Sequence, residues 1–232
     1  MILEQNVDVG GTLYPVVISD SKAVLLTAKE DGKAVVGYLH PGGEQDLSPA
    51  VYLVENPDLA GDCYLKRVVR RHHGWPWPIT KTGRLAVREF HLDDLGYILK
   101  ETGGHMDDRI FTSKDTLRAY IRSQYGFYEY GIWAVVRKED NRLIGKAGVT
   151  GCGGRLELGY HIFKPYRNQG YATEASRAIL TYVAAEFCCP VYAKTRTGNV
   201  DSVKVLKKLG FTRTEQTGNP PAKYWCQYVW NC

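Results

Sequence analysis

Short apolar runs separated by polar and turn-forming residues recur through the first 55 residues, and they predict β-structure. Three runs are strand-like: 14–18, 23–27 and 34–39. Residues 58–71 predict a short helix, which His72-His-Gly-Trp-Pro-Trp-Pro78 must end because proline disfavours helix at the residue before it. We therefore predict a small β-rich N-terminal domain over residues 1–78, with its strands in a meander.

Residues 79–232 alternate strand and helix patterns instead. Strands are predicted from residue 84, at 131–136, 143–149, 156–163 and 191–197, and after residue 211, with helices at 92–101, 113–125, 171–187 and 201–209. A right-handed strand, helix, strand crossover makes the 156–163 and 191–197 strands parallel neighbours. The fold class is α/β (α+β).

The segment between the 156–163 strand and the following helix predicts a phosphate-binding loop. Its sequence is Arg167-Asn-Gln-Gly-Tyr-Ala172. Gly170 lets the backbone approach a ligand, and the first amides of a helix lack intrahelical partners at the positive end of the helix dipole. The loop is neither G-x-G-x-x-G nor G-x-x-x-x-G-K-[ST], so the common nucleotide-binding signatures are excluded.

This loop resembles the R/Q-x-x-G-x-G/A pattern of the GNAT superfamily of N-acetyltransferases, with Arg167, Gly170 and Ala172 at the defining positions. Glu157-Leu-Gly-Tyr160 before it and Lys208-Leu-Gly-Phe211 after it are similar to the branch of ribosomal-protein N-terminal acetyltransferases. The resemblance covers residues 82–232. It implies the GNAT fold, a mixed central sheet with helices on both faces, and direct acetyl transfer from acetyl-CoA to a primary amine without a metal.

The resemblance also implies the residues that hold acetyl-CoA. The two parallel strands splay apart in GNAT folds, and the gap receives the pantetheine arm. The expected binding residues are Ile162 and Phe163 by their backbone, the loop residues Arg167, Asn168, Gln169, Gly170, Tyr171 and Ala172, and Asn199 and Ser202 across the gap.

Two side chains are candidates for catalysis. Glu157 corresponds to the family carboxylate that serves as the base, although a strand glutamate can equally face solvent or pair with a lysine. Many GNAT enzymes protonate the leaving thiolate with a tyrosine where this chain has Leu206, so the tyrosine acid is absent. Ser202 is the substitute, with a helix-capping serine as the alternative.

Composition and charge bear on the ligand, the cellular location and the presence of a zinc site. Residues 1–80 hold seven Lys and Arg and ten Asp and Glu, and the rest of the chain holds 23 and 15, so the basic surplus falls in the segment assigned to coenzyme A. Neither a membrane-spanning stretch nor a signal peptide is evident, and we expect a cytoplasmic protein. The six cysteines form no C-x-x-C motif, which argues against a zinc site.

Several questions stay open at this stage. The amine acceptor is a peptide or a small molecule, and a homodimer is compatible with the sequence. A non-catalytic acyl-CoA-binding or interaction module is the alternative function. The basic run Lys66-Arg-Val-Val-Arg-Arg-His-His73 could bind nucleic acid, but a solvated helix face is the favoured interpretation.

Overall fold

The computed structural model describes residues 1–101, 108–152, 154–214 and 225–231. The chain divides into two compact units, Met1–Trp77 and Pro78–Cys232, and the division falls inside the Trp-Pro-Trp-Pro stretch.

The first unit is a four-stranded sheet with helices. Its strands are β1 Ile2–Val9, β2 Thr12–Ser19, β3 Ala34–Tyr38 and β4 Tyr52–Val54, and its helices are α1 Lys22–Glu30 and α2 Asp62–His72, with a 3₁₀ turn at Pro57–Leu59. The strand order is β1-β2-β3-β4. Strands β1 and β2 form an antiparallel hairpin, whereas β2, β3 and β4 run parallel to one another.

One predicted strand of this unit is wrong. Residues 23–27 lie within α1, where Leu25 and Ala28 are buried. A five-residue apolar run fits either a strand or a helix, and the buried positions three residues apart show the helical period. The meander is wrong for the same reason, because parallel β2 and β3 need the crossover that α1 provides.

The basic side chains of α2 have partners inside the first unit. Lys66 pairs with Asp62 at 2.7 Å, and Arg70 donates to the carbonyl oxygen of Pro76 at 3.0 Å. Arg71 lies 5.9 Å from the ring centre of Tyr52. These contacts favour a structural role for the run over a surface kept free for nucleic acid.

The second unit is built on an eight-stranded sheet. Its strands are β5 Pro78–Lys81, β6 Leu85–Arg88, β7 Ile132–Arg137, β8 Arg142–Cys152, β9 Arg155–Ile162, β10 Val191–Arg196, β11 Thr212–Thr214 and β12 Trp225–Trp230. Its α-helices are α3 Leu95–Glu101, α4 Lys114–Tyr120, α5 Tyr171–Phe187 and α6 Val200–Lys208, with 3₁₀ turns at Leu92–Asp94, Asp108–Phe111 and Lys164–Tyr166 and a π-helix at Ile121–Tyr128. The strand order is β11-β12-β10-β9-β8-β7-β6-β5.

This sheet is mixed and is covered on both faces, as predicted. Strands β9 and β10 are parallel, and the other neighbouring pairs are antiparallel. Trp133 on β7 meets Tyr182 of α5 edge to face. On the opposite face, Lys146 places its Nζ 4.5 Å from the ring centre of Phe111. Within the described ranges, no helix is long and apolar enough to cross a membrane.

A pair of facing glycines in β8 and β9 provides a test of this packing. Gly148 and Gly159 are cross-strand partners. A Cβ at Gly148 would overlap the carbonyl oxygen of Gly131 and lie 2.7 Å from the Cα of Ile132, whereas a Cβ at Gly159 would meet only the Cδ1 of Ile132 at 3.6 Å.

We expect Gly148→Ala to lower the free energy of unfolding by about 1–3 kcal/mol or more, because backbone must move to accept the methyl group. Gly159→Ala, its matched control, should cost much less. Urea unfolding of the purified variants measures both values, and equal losses would contradict the β7–β8 packing.

Candidate functional site

Strands β9 and β10 stay together for only two positions. Val191 pairs with Leu156 and Tyr192 with Glu157. Strand β9 remains paired with β8 as far as Ile162, and β10 remains paired with β12 as far as its own last residue. The two strands therefore separate beyond Glu157, and a gap opens between their facing edges.

A cavity of about 510 Å³ lies at this gap. It is lined by residues of β9, of the loop before α5, of the first turn of α5 and of α6 from its cap to its last residue: Tyr160, His161, Ile162, Tyr166, Arg167, Asn168, Gly170, Tyr171, Ala172, Thr173, Asn199, Asp201, Ser202, Lys204, Val205 and Lys208. The structure thus brings together eight of the predicted site residues, Ile162, Arg167, Asn168, Gly170, Tyr171, Ala172, Asn199 and Ser202. Glu157, Phe163 and Gln169 lie outside the lining.

The loop before α5 presents backbone amides to the cavity. Asn168 and Gly170 adopt left-handed conformations, with φ of 61° and 82°. The first intrahelical bond of α5 runs from the amide of Glu174 to the carbonyl oxygen of Gly170 at 3.0 Å, which leaves the amides of residues 171–173 without intrahelical partners. Such a turn leading into a helix N-terminus fits a phosphate group.

The first turn of α6 faces the same cavity. Asn199 caps this helix, its Oδ1 accepting from the amide of Ser202 at 3.1 Å. This bond leaves the Nδ2 of Asn199 as the donor for a ligand. Lys204 and Lys208 add positive charge to the lining. Neither lysine was predicted as a site residue, although their four-residue spacing places them on one face of the helix.

The edge of β9 that faces the gap offers fewer backbone groups than expected. The amide of Phe163 donates to the carbonyl oxygen of Ile144 on β8, and its own carbonyl accepts from the amide of Tyr166, both at 2.9 Å. Because successive strand residues direct their backbone groups to opposite edges, Ile162 directs its groups toward the gap. The carbonyl oxygen of Ile162 accepts from the Nε of Arg167 at 2.9 Å. Both backbone groups of Phe163 therefore have partners within the protein, and Ile162 is the residue whose backbone is directed toward the gap.

Glu157 sits where the two strands begin to separate. Its Oε2 lies 2.9 Å from the Nζ of Lys194, with 25% of the Glu157 side chain and 38% of the Lys194 side chain exposed. Pairing with a lysine was the alternative to a catalytic role. The Glu157 side chain nevertheless remains partly exposed at the point where β9 and β10 separate.

Ser202 is hydrogen-bonded to Tyr160, which was not among the predicted site residues. The hydroxyl oxygens of Ser202 and Tyr160 lie 3.0 Å apart, and the Tyr160 hydroxyl also donates to the carbonyl oxygen of Ser202 at 3.2 Å. Burial raises the pKa of Tyr160 although its bond to Ser202 opposes the shift, so the phenol stays protonated at neutral pH. Leu206 is buried. The Glu-x-Gly-Tyr motif contained Tyr160, but only the fold shows its partner.

Metal ligation has no support among the residues described. These residues include no group of three or more His, Cys, Asp or Glu side chains placed to hold an ion.

Comparison with known proteins gives a consistent picture for the second unit. Residues 84–212 match the family model described as an acetyltransferase (GNAT) domain. The uncharacterized N-acetyltransferase YnaD of Bacillus subtilis is 31% identical over 141 residues, which is 57% of this chain and 81% of YnaD.

Solved structures share the fold of this unit. A ribosomal-protein α-N-acetyltransferase in complex with coenzyme A is 15% identical with a TM-score of 0.56, covering 67% of this chain and 98% of its own. A ribosomal-protein-alanine acetyltransferase from Vibrio fischeri is 15% identical with a TM-score of 0.54, covering 66% and 95%. A spermidine N-acetyltransferase chimera that includes the Vibrio cholerae protein is 16% identical with a TM-score of 0.52, covering 63% and 95%.

The Asn199 cap is expected to stabilise α6. Asn199→Ala removes the acceptor for the Ser202 amide and should lower the free energy of unfolding by about 1 kcal/mol, whereas Asn199→Asp keeps the acceptor and should stay close to wild type. Urea unfolding checks both. Equal stability of the alanine variant and the wild type would show that the cap contributes nothing.

Proposed function

The chain belongs to the GNAT family of acetyltransferases, and from this premise we propose that it binds acetyl-CoA in the gap between β9 and β10 and transfers the acetyl group directly to a primary amine. The separation of the two strands beyond Glu157, with the N-termini of α5 and α6 beside the opening, carries the proposal. The acceptor is a protein N-terminus or a small-molecule amine. A cytoplasmic location would supply acetyl-CoA.

Different residues would bind the pyrophosphate and the pantetheine arm of acetyl-CoA. The amides of residues 171–173 and the left-handed turn at Gly170 would receive the pyrophosphate, and Lys204 and Lys208 would offset its charge. Ile162 and Asn199 flank the gap and would bond the amides of the pantetheine arm. Acetyl-CoA supplies the activated acyl group, and a predicted metal-free reaction needs no further cofactor.

Glu157 is the proposed base. As the amine nitrogen attacks the thioester carbon and the carbon–sulfur bond breaks, the carboxylate accepts the proton that the nitrogen loses. An α-amino group has a reference pKa near 7.7–8.0, so a substantial minority is already neutral at pH 7 and a modest base suffices. Lys194 would hold the Glu157 carboxylate where β9 and β10 separate until the amine acceptor binds.

Ser202 is the proposed proton donor to the departing thiolate sulfur. Its hydroxyl lines the cavity and is backed by the phenol of Tyr160 at 3.0 Å. Since the raised pKa keeps Tyr160 protonated, the phenol O–H can turn from the carbonyl oxygen of Ser202 to Ser202 Oγ as that oxygen gives up its proton. Tyr160 would then act through Ser202 rather than on the sulfur.

A non-catalytic acyl-CoA-binding module is the second candidate. Two observations favour it: Glu157 is paired with Lys194, and Leu206 occupies the position of the usual tyrosine acid. Both candidates predict binding of acetyl-CoA, so turnover has to separate them.

We expect acetyl-CoA to raise the thermal midpoint of the wild type, because a ligand that binds only the folded state stabilises it by about 2.7 kcal/mol at 100 times its dissociation constant. Glu157→Gln should keep this shift and lose on the order of 100-fold or more in turnover, measured as release of free thiol with a panel of peptide and polyamine acceptors.

An Arg167→Glu/Gly170→Asp variant is the control for the site, and its thermal shift should vanish because both changes put negative charge in the loop. Unchanged turnover in Glu157→Gln would remove Glu157 as the base. Binding without turnover on every acceptor would favour the non-catalytic module.

The proton donor has its own test. Ser202→Ala should lower kcat roughly 10-fold or more while the KM for acetyl-CoA changes little, because the missing proton matters only as the thiolate leaves. Ser202→Thr keeps a hydroxyl and should recover part of kcat. If Ser202 only supports the first turn of α6, the alanine variant will instead retain its kcat.

A further inference from the structure

Arg84 lies just before β6 and reaches the junction between the phosphate loop and α5. Its Nε donates to the carboxylate of Glu174 at 2.7 Å, and its NH1 donates to the carbonyl oxygen of Gln169 at 3.1 Å. The guanidinium carbon lies 4.4 Å from the ring centre of Tyr171. One planar side chain thus contacts three residues around the start of α5, a combination that suits arginine and not lysine.

The bond to Gln169 controls the direction of a neighbouring amide. Because the peptide unit is planar and trans, fixing the carbonyl oxygen of Gln169 also fixes the direction of the Gly170 N–H. Gly170 lines the cavity with a φ of 82°, and a Cβ there would lie 3.6 Å from NH2 of Arg84. Arg84 therefore covers the turn and limits how it can rotate.

The bond to Glu174 controls charge at the phosphate end. Glu174 lies in the first turn of α5 and also accepts from the hydroxyl of Thr82. Burial opposes its ionisation, but the hydrogen bonds from Thr82 and Arg84 outweigh burial and lower the pKa of Glu174, so the carboxylate is charged at neutral pH. An unpaired carboxylate one turn from a bound pyrophosphate would repel it, and Arg84 neutralises this charge.

We propose that Arg84 is a positioning residue for coenzyme A binding, which holds the Gln169–Gly170 peptide in its phosphate-accepting orientation and neutralises Glu174. This inference rests on the proposed function. Arg84 itself is absent from the lining of the cavity and acts through the loop and the helix.

Calorimetric titration of the full chain with coenzyme A tests the proposal. Arg84→Ala should raise the Kd about 10-fold, equivalent to about 1.4 kcal/mol, and should raise the KM for acetyl-CoA in proportion while kcat at saturation stays within about twofold. Arg84→Lys should weaken binding by about 3- to 5-fold, because an ammonium group restores the charge near Glu174 and not the planar contacts.

Arg118→Ala is the matched control, since it removes an exposed arginine that pairs with Asp115 at 2.6 Å and lies outside the cavity lining. Its Kd should equal that of the wild type. A Kd within twofold of wild type in folded Arg84→Ala overturns the proposal. If that variant does not fold, the same result in Arg84→Lys overturns it. Failure of the wild type to bind coenzyme A would instead refute the proposed function.

Discussion

The divergence of β9 from β10 is the constraint on which the site depends. Parallel strands that separate leave N–H and C=O groups without ladder partners, and such groups need a substitute when they are shielded from water. Each strand stays in the sheet through its other neighbour, β8 or β12, so the gap can open without loss of the sheet. A ligand with amide groups of its own can complete the missing ladder.

The positively charged end of this gap and the proposed base lie apart along β9. The proposed phosphate end has the N-termini of two helices and three basic side chains, Arg167, Lys204 and Lys208. Glu157 lies five residues earlier on β9 than Ile162, which is roughly 17 Å of strand. The proposed base is thereby kept away from the positive end, and the donor can be held by its phosphates without bringing them near the acceptor amine.

The strength of the local pattern decided how well each part could be predicted. Helix α5 was expected because Ala175, Ile179 and Val183 repeat at helical spacing over more than two turns, and these three are buried. Residues 23–27 were assigned to a strand because a run of four apolar residues and a threonine has too little periodicity to distinguish strand from helix. Strand β1 was not predicted, since Val7 is its only buried residue and the inward-facing position at Gln5 is polar, which interrupts the apolar alternation in the sequence.

The sequence by itself determined the family, the left-handed loop proposed to bind phosphate and the helix that follows it, because a glycine in a left-handed turn and a long apolar repeat are local properties. The tertiary structure decided which side chains meet. Tyr160 reaches Ser202 across 42 residues, and Arg84 reaches Glu174 across 90. Those contacts depend on the crossover between β9 and β10 and on how β6 packs against α5. No local sequence pattern encodes this packing.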